Sequence, residues 1–589
     1  MRNESIFDAI VEQVEERPCQ NAVVLEDGDG REHHIGYLEL HLLATSLAAW
    51  LQSVCRPGDR VLLCYPTGIE FTRSLLACLY ADVVPVPVPL PGRTDHHLST
   101  ITGIALDAEA CLVLTDAAHS DEVYVWLTHD DLGIHECVAT DVIEFEDASD
   151  WVEPLRKGED QALLQYTVGP GGGPIGITVS HANVLHNCAL IAAAYGLGSG
   201  VRSGGWLPLH HSMGLIALLL APLISGGTAV LMPPETFCAD PIRWLRLIDR
   251  HDVRFSVSPT FGYGLCVSEI TDDQLAGLDL SRWRHALLVE MTGASPAEAR
   301  TVELFAERLR TAGLRAEALR TSYGLAEATL LTAVGAPGGA VEARCFDSRA
   351  LDRNLLIPTS DAQGPRLLGL GVVPEPDLRI VDPVTAGALP EGRIGEIWVR
   401  GPRVVPGYWR KERLTGERFD QVTADGEKGF VRSGNLGAIV RGELYVTGLM
   451  RDVSRYGGRY LDLGRVERAI VGGGSIVACS AFPAPADRDE IIVVAQPARA
   501  ETDEGSSPLI REVRDILALR FGVHRTKVVL VKPGQVQVMP DGEVNRQLTR
   551  ELFVANALDI VYADVAREFF FEEVATLPGT REAEGSALT

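Results

Sequence analysis

Residues 165–176 of the chain read QYTVGPGGGPIG and give the strongest indication of the fold. The stretch follows an apolar, strand-like run at residues 162–164, and it precedes a helix-like segment that Ser180 is placed to cap. Such a glycine-rich loop typically holds phosphate through backbone N–H groups, hydroxyls and a cation. Here no hydroxyl stands between Val168 and Ile177, and no Lys or Arg is present. We therefore expect the loop of a phosphate site without its polar contacts.

Strand-like and helix-like segments alternate through the first 330 residues, which favours an α/β fold with largely parallel strands. Strand-like runs lie at residues 60–64, 111–114, 228–232 and 255–257. From about Leu378 to Val446, short strands with glycine turns predict a distorted barrel or an antiparallel sheet. A compact α/β unit with strands at 491–494 and 528–531 follows. The last residues, 576–589, are small and polar, and we expect them to be disordered.

The bulk composition restricts the class of protein. A chain of 589 residues is too long for one ordinary core, so two or more domains are expected. The net charge of −27 argues against nucleic acid or an anionic membrane as a main partner. The longest apolar run, residues 213–224, is shorter than the roughly 20 residues that a membrane helix needs, and predicts a buried core helix.

The cysteines and the N-terminus indicate the compartment. The 11 cysteines form no C-x-x-C pair, which predicts a reducing environment, no disulfide framework and no metal site. The first residues read as an acidic amphipathic helix and not as a signal peptide. We expect a cytoplasmic protein.

Four phrases occur in a fixed order: PLHHSMGLI at 208–216, SYGLAEATL at 322–330, GEIWVRG at 395–401 and YVTGLMRD at 445–452. With them, the chain resembles the adenylate-forming superfamily of acyl-CoA synthetases, peptide-synthetase adenylation domains and luciferases. Within it, the chain is most similar to the fatty acyl-AMP ligases that load acyl chains onto carrier proteins of polyketide synthases. The resemblance runs from about Tyr37 to Arg550.

The resemblance implies a division into domains. Residues 1–449 would form a large N-terminal domain of layered α/β subdomains plus a distorted β-barrel. It would include an insertion typical of acyl-AMP ligases at 341–371 and a β-rich subdomain at 375–449. Residues 450–575 would form a small, mobile α+β C-terminal domain that turns on a hinge near Asp452, followed by the tail at 576–589. In such enzymes a carboxylate attacks ATP, and the acyl group then moves to a phosphopantetheine thiol.

The phosphate loop departs from the family at four positions. The family reads T-S-G-S-T-G-x-P-K-G, and its two serines, its threonine and its lysine are replaced here by Val168, Pro170, Gly171 and Ile175. The retained positions are Thr167, Gly169, Gly172 and Gly176. A hydrogen bond to a charged group contributes about 1.5–3 kcal/mol, so these losses predict that ATP affinity is lost. The alternative interpretation of what remains is a simple glycine turn between a strand and a helix.

Three further contacts of the family are altered. Asn435 stands where the family uses an aspartate to hold the ribose, and Leu449 replaces the arginine of its T-G-R phrase. Near the C-terminus Glu543 replaces the lysine that bridges the carboxylate and the α-phosphate. Losing one such electrostatic contact costs about 10²–10³ in rate, and a reversed charge adds repulsion. In a still active enzyme, Arg451 and Arg546 would be the nearest replacement cations.

Other positions keep the family residue. Tyr323 corresponds to the aromatic residue that stacks on adenine, and Asp452 corresponds to the hinge. Glu327 corresponds to the Mg²⁺ carboxylate and His211 to a histidine between the acyl and nucleotide sites, so both are candidate catalytic residues. His210 and Ser212 are further candidates, although adjacent side chains diverge and do not form a ready dyad. The alternative interpretation is an inherited pocket wall.

The acyl side of the site departs less from the family. The residues that correspond to the walls of an acyl pocket are Trp206, Met213, Ile216, Phe261 and Tyr263. Their alternative interpretation is an ordinary core.

We therefore expect a degenerate acyl-AMP ligase homologue of polyketide or lipid biosynthesis that does not adenylate. It would bind an acyl chain or an acyl carrier protein thioester, or it would act on one of them without ATP. No cofactor is predicted; ATP and Mg²⁺ belong only to the alternative of an active ligase. A non-catalytic scaffold that binds a carrier protein is the third possibility. No nucleic acid and no membrane insertion are expected.

Overall fold

The computed structural model describes most of the chain. The residues outside the description are 1–3, 93–94, 130–131, 135, 144–147, 170–172, 291–295, 336–340, 342, 363, 373–376, 458, 485–489, 499–505, 538–543 and 564–589. Pro170, Gly171, Gly172 and Glu543, and the tail at 576–589 that we expected to be disordered, therefore lie outside the described residues.

The chain divides into two compact units. The N-terminal unit comprises Met1–Cys345 and Pro365–Thr447, and the C-terminal unit comprises Phe346–Gly364 and Gly448–Thr589. The middle of the predicted insertion thus clusters with the C-terminal unit. The domain boundaries predicted from the sequence, and the mobility of the C-terminal domain, stay predictions.

The α-helices of the described residues are α1 Ile6–Glu16, α2 Tyr37–Val54, α3 Ile69–Ala81, α4 Asp95–Ala108, α5 Ser120–His129, α6 His181–Tyr195, α7 Ala221–Ile224, α8 Pro234–Ala239, α9 Ile242–Arg250, α10 Thr260–Glu269, α11 Asp272–Leu275, α12 Pro296–Leu309, α13 Ser348–Leu351, α14 Glu412–Arg418, α15 Leu463–Val471, α16 Ser506–Phe521 and α17 Arg546–Val554. A π-helix spans Met213–Leu220.

The strands are β1 Asn21–Glu26, β2 Glu32–Gly36, β3 Arg60–Cys64, β4 Val84–Val88, β5 Leu112–Thr115, β6 Cys137–Ala139, β7 Gln161–Val168, β8 Pro174–Ser180, β9 Arg202–Gly205, β10 Thr228–Leu231, β11 Val253–Ser258, β12 His285–Glu290, β13 Leu319–Gly324, β14 Leu331–Val334, β15 Ala343–Cys345, β16 Arg366–Leu368, β17 Leu378–Val381, β18 Gly395–Val399, β19 Gly407–Tyr408, β20 Val431–Val440, β21 Glu443–Leu449, β22 Val453–Tyr456, β23 Arg459–Asp462, β24 Ile476–Pro483, β25 Ile491–Pro497, β26 Thr526–Val531 and β27 Ile560–Ala563.

The N-terminal unit contains the α/β layering that the alternation of segments predicts. One sheet has the order β14-β13-β12-β11-β9-β10-β1-β2 and is parallel apart from its two outer pairs. A second sheet, β4-β3-β5-β6, is parallel throughout. The β-rich part predicted near residues 378–446 is the sheet β17-β18-β20-β21, in which β17, β18 and β20 pair antiparallel. The predicted mixed α/β class with a β-rich segment is confirmed.

The C-terminal unit has a core of its own. Its main sheet has the order β24-β25-β26-β27, with a parallel pair β25–β26 between two antiparallel pairs. Apolar residues of α15 and α16, such as Val466, Val513 and Leu517, pack against one face of this sheet. The α+β character predicted for this region is confirmed.

Two local predictions need correction. The apolar run that we expected to be one core helix is buried, but it begins as the π-helix and continues as α7 only from Ala221. The glycine loop does not lead directly into a helix, because β8 intervenes and pairs antiparallel with β7. Ser180 caps α6 as predicted: its hydroxyl accepts the N–H of Asn183, whose side chain accepts the N–H of Ser180. The strands on either side of the loop, β7 and β8, therefore form a hairpin.

Among the helices that the structure describes, none combines the length and the apolar character that crossing a membrane requires.

Candidate functional site

The glycine loop joins β7 to β8. The described residues at its two ends contact each other. The N–H of Gly169 donates to the carbonyl oxygen of Gly173 over 2.8 Å. A Cβ atom added to Gly169 would lie only 2.3 Å from Cδ1 of Ile175. Ile175 pairs with Thr167 across the hairpin. One backbone donor is therefore used internally, and an apolar side chain lies against the backbone at the position that corresponds to the family's lysine.

Both strands of the hairpin contact neighbouring segments. The carbonyl oxygen of Gly176 accepts the N–H of Trp409 over 2.8 Å, which pairs β8 with β19. Tyr166 donates its hydroxyl proton to Asp107 over 2.9 Å, and Lys411 contacts the same carboxylate at 2.6 Å. The Lys411 ammonium is thus already paired with a carboxylate.

Tyr323 and Asn435 contact each other inside the N-terminal unit. The side-chain amide of Asn435 donates to the Tyr323 hydroxyl over 2.8 Å, and both residues are buried. Burial raises the pKa of the Tyr323 phenol above its ordinary value, although hydrogen bonds from Ser433 and Asn435 act in the opposite direction. The two positions predicted to hold adenine and ribose are therefore adjacent, and an amide N–H of Asn435 is bonded to the tyrosine.

Glu396 fixes the segment that carries Asn435, and sequence reasoning missed it. This carboxylate is 2% exposed and accepts Nε and Nη2 of Arg432 at 2.9 and 2.8 Å. It also accepts the indole N–H of Trp398 at 3.0 Å and the backbone N–H of Gly434 at 3.2 Å. The detectable signal was an acidic residue inside the otherwise apolar strand GEIWV, because such a residue needs several partners when it is buried.

Glu327 lies at the predicted metal position and already has a protein partner. The hydroxyl of Tyr408 donates to Oε1 of Glu327 over 2.7 Å. Burial and the neighbouring Glu327 carboxylate raise the pKa of Tyr408 above its ordinary value. One carboxylate oxygen of Glu327 is thereby engaged by a phenol that we did not anticipate from the sequence.

The backbone after Glu327 is strained. Thr329 has φ of 68° and ψ of −57°, and the N–H of Leu330 donates to the carbonyl of Ala328 over 2.7 Å, which closes a γ-turn of the less common hand. The Thr329 hydroxyl donates to the carbonyl of Arg403 over 2.9 Å and holds the turn. A β-branched residue with positive φ costs about 1–3 kcal/mol, and such strain concentrates at functional sites.

His210, His211 and Ser212 follow one another in a turn before the π-helix. Within the described residues, no hydrogen bond joins either histidine to Ser212; Nδ1 of His211 instead accepts the N–H of Met213 at 3.3 Å. Burial lowers the pKa of His210 to about 4, with a smaller contribution from His211, and it also lowers the pKa of His211. His211 nevertheless keeps an exposed side chain. A solvent-accessible side chain in dense surroundings indicates a concave surface, and the absence of a dyad is as expected.

The predicted acyl-pocket residues lie in and beside an aromatic cluster. Trp206 stacks on Phe237 with ring centroids 4.1 Å apart, and Tyr263 contacts Phe305 at 4.7 Å. Four of the five predicted residues are buried, whereas Phe261 is 57% exposed and contacts Trp206 edge to face at 5.4 Å. Their role in acyl binding stays a prediction.

In the C-terminal unit, Asp452 contacts Arg546, one of the two arginines named above as replacement cations. Arg546 pairs with Asp452, and it binds Glu467 through Nε at 2.9 Å and Nη2 at 2.7 Å. Burial raises the pKa of Glu467, and the guanidinium of Arg546 counteracts this effect. Two carboxylates thus pair with Arg546, and its role as a replacement for the missing lysine stays a prediction. Arg451 is exposed, and Leu449 ends β21.

The fold is that of the adenylate-forming enzymes. The AMP-binding enzyme family matches residues 10–409, more than half of the chain, and the chain belongs to this family. It is 32% identical over 582 residues to a 4-hydroxyphenylalkanoate adenylyltransferase of Mycobacterium bovis, covering 94% of this chain and 92% of the relative. It is 31% identical to the medium-chain-fatty-acid–[acyl-carrier-protein] ligase JamA of Moorena producens. That match covers 91% of this chain and 92% of the relative.

A solved structure supports the same relationship. A fatty acyl-adenylate ligase from Legionella pneumophila, in complex with acyl adenylate and pyrophosphate, superimposes with a TM-score of 0.72 at 27% identity. The match covers 95% of this chain and 98% of that chain. The resemblance to acyl-AMP ligases that we inferred from the motifs is confirmed.

Proposed function

We propose that this chain binds an acyl group carried as a thioester on an acyl carrier protein, and that it does not adenylate a free acid with ATP. The observation that supports the proposal most directly is the position of Ile175 against the backbone of Gly169, where the family has a phosphate-binding lysine. An alkyl side chain supplies no charge to a phosphate, and the internal bond from Gly169 to Gly173 removes a donor.

Several contacts to the phosphates of ATP are lost together, and their free energies of binding add. The hydroxyls and the ammonium replaced by Val168, Pro170, Gly171 and Ile175 would each contribute about 1.5–3 kcal/mol to a charged ligand. Since each 1.4 kcal/mol corresponds to a factor of ten in affinity, the loss of even two such contacts weakens binding by about a hundredfold or more. We therefore infer that the chain binds ATP too weakly for turnover.

The surviving nucleotide positions are also engaged by the protein. Asn435 donates to Tyr323, and Tyr408 donates to Glu327. A nucleotide or Mg²⁺ would compete with these hydrogen bonds in addition to lacking the phosphate contacts. This is consistent with a pocket that keeps its architecture for a purpose other than adenylation.

The relatives and the aromatic cluster support the proposal that the chain binds an acyl group. The name of JamA assigns it a fatty acid and an acyl carrier protein. The exposed ring of Phe261, which contacts the buried Trp206, offers apolar surface in the region that corresponds to the acyl pocket. A carrier-bound acyl group is therefore the substrate class that we propose, with either binding alone or ATP-independent acyl transfer as the outcome.

The second candidate is an active acyl-AMP ligase with unusual phosphate contacts. Two observations favour it: the retained Glu327 and Tyr323, and identities of 31–32% to enzymes whose names include a ligase and an adenylyltransferase. It predicts pyrophosphate release that depends on both a fatty acid and Mg²⁺. A carrier-binding scaffold without an acyl site is a third candidate, and it predicts carrier binding that is independent of the acyl chain.

The experiment compares these candidates on the full chain. Pyrophosphate release is measured with ATP, Mg²⁺ and fatty acids of several lengths, and binding of dodecanoyl-pantetheine is measured by calorimetry without ATP. We expect no pyrophosphate and micromolar binding of the thioester. Phe261→Ala should weaken that binding, whereas Tyr124→Ala, which truncates another aromatic residue of similar exposure (60%), should not. Acid-dependent pyrophosphate release would contradict the proposal.

A further inference from the structure

Several buried polar side chains of the N-terminal unit lack a hydrogen-bond partner among the described residues, and Trp206 and Tyr263 are two of them. Trp206 and Tyr263 are 2% and 0% exposed, and among the described residues neither the indole Nε1 nor the phenol oxygen is hydrogen bonded. The hydroxyl oxygen of Thr260 is likewise buried without a partner. Buried polar groups are nearly always paired in native proteins, so three unpaired atoms in one region need an explanation.

The three groups surround the first turn of α10. A Cβ atom on Gly262 would lie 2.7 Å from Cζ2 of Trp206 and 3.5 Å from its Cε2, the carbon bonded to Nε1. Tyr263 follows Gly262 directly, and Thr260 lies one turn before Tyr263 on the same side of the helix. The ring centroid of Trp244 lies 6.4 Å from that of Trp206 and 5.8 Å from that of Tyr263.

The same turn also reaches solvent. Phe261, between Thr260 and Gly262, is 57% exposed while its ring contacts Trp206 edge to face. Because residue 262 is glycine, no side chain separates Trp206 from the helix backbone at this point. The unpaired indole of Trp206 thus lies next to an exposed apolar ring, and Thr260 and Tyr263 belong to the same helical turn.

We propose that Trp206 and Tyr263 recognise an oxygen atom within the acyl chain, so that the bound acyl group is a hydroxylated or keto-substituted chain and not a plain alkyl chain. This inference rests on the proposed function, because it requires that an acyl group binds here. The indole N–H can only donate, so its partner is an acceptor, and the phenol can donate or accept. A hydroxyl or ketone oxygen fits both groups, whereas a methylene fits neither.

The test uses pantetheine thioesters of one chain length. Plain decanoyl-pantetheine is compared with a series that carries one hydroxyl at successive carbons, and dissociation constants are measured by calorimetry. We expect at least one hydroxylated probe to bind about tenfold more tightly than the plain chain, which corresponds to one additional hydrogen bond. Tyr263→Phe and Trp206→Phe should abolish this preference, so that each variant binds the hydroxylated and plain chains with equal affinity.

Two controls separate recognition from structural effects. Tyr195→Phe removes a buried hydroxyl that is already bonded to Ser322 at 2.6 Å, and it should leave the preference intact. Tyr263→Phe removes an unpaired hydroxyl, so its melting temperature should equal or exceed that of the wild type. A wild type that binds the plain and all hydroxylated chains equally would overturn this inference and leave acyl binding standing. Absence of binding by every thioester would overturn both.

Discussion

At the scale of single residues, several polar groups at the positions that correspond to the family's nucleotide site have partners within the described part of the protein. Gly169 donates to Gly173, and Asn435 donates to the hydroxyl of Tyr323. Glu327 accepts the hydroxyl of Tyr408. Since an unpaired buried polar group is costly, these internal bonds allow the fold to be stable without a bound nucleotide. The altered residues are thus part of a consistent structure.

His181 gives a test of burial at the residue scale. It is 1% exposed, its Nδ1 accepts the N–H of Ile6 at 3.3 Å, and burial lowers its pKa from 6.5 to about 4. Below pH 6.5 the His181 imidazole is protonated in the unfolded chain, whereas in the folded chain it becomes protonated only near pH 4. The contribution of His181 to the free energy of unfolding is therefore at its maximum above pH 6.5. It decreases by about 3 kcal/mol as the pH falls to 4.

His181→Asn keeps an acceptor for Ile6 and removes the titration. We expect the variant to lose about 3 kcal/mol less stability than the wild type between pH 6.5 and 4, measured by chemical denaturation at each pH. Parallel curves for wild type and His181→Asn would show that burial of this imidazole does not govern the pH dependence.

At the scale of elements, the π-helix Met213–Leu220 depends on one glycine. A Cβ atom on Gly214 would lie 2.2 Å from the carbonyl oxygen of Pro208 and 2.9 Å from that of Leu207. Both neighbours are backbone atoms, which cannot rotate away. Gly214→Ala should therefore destabilise the N-terminal unit by about 3 kcal/mol, as overpacking does. Thermal unfolding of the variant measures the loss.

Gly416→Ala is the matched control for that substitution. Gly416 lies inside α14, and no atom within 4 Å would meet its Cβ atom. Alanine should stabilise a helix here by about 0.5–1 kcal/mol. If both variants unfold like the wild type, the close approach between Gly214 and the Pro208 carbonyl does not constrain the π-helix.

Element type was predictable from the sequence where a periodic pattern was strong. Arg60–Cys64 and the cap at Ser180 were predicted correctly, because apolar runs and a capping residue act locally. The hairpin strand Pro174–Ser180 was missed, because a glycine- and proline-rich loop gives no periodic signal. The partners of Glu327, Asn435 and Arg546 were also missed, since they are distant in sequence. Such pairings depend on tertiary contacts that no local pattern contains.

At the scale of the whole molecule, the two compact units have separate cores, and the C-terminal one includes a buried ion pair. Arg546 holds Glu467, which is 6% exposed. Arg546→Met would leave that carboxylate buried without its cation. We expect the C-terminal unit to lose about 3 kcal/mol of stability, measured as a shift of its transition by differential scanning calorimetry.

Two further variants test this ion pair. The double variant with Arg546→Met and Glu467→Leu should recover most of the stability, because both charges are then gone. Lys532→Met breaks an exposed pair with Asp559, at 3.7 Å, and should cost no more than about 1 kcal/mol. A single variant Arg546→Met that is as stable as Lys532→Met would refute the importance of the buried pair.

We propose above that this member of the AMP-binding family does not use ATP. The measurement that tests it most directly is calorimetric titration of the full chain with ATP and Mg²⁺, followed by a non-hydrolysable acyl-adenylate mimic. Ile175→Lys is titrated in parallel, and it should not restore binding, because one ammonium does not replace the lost hydroxyls. We predict no detectable heat from ATP with either protein. Micromolar binding of ATP by the wild type would contradict the account and identify the loop as a variant ligase site.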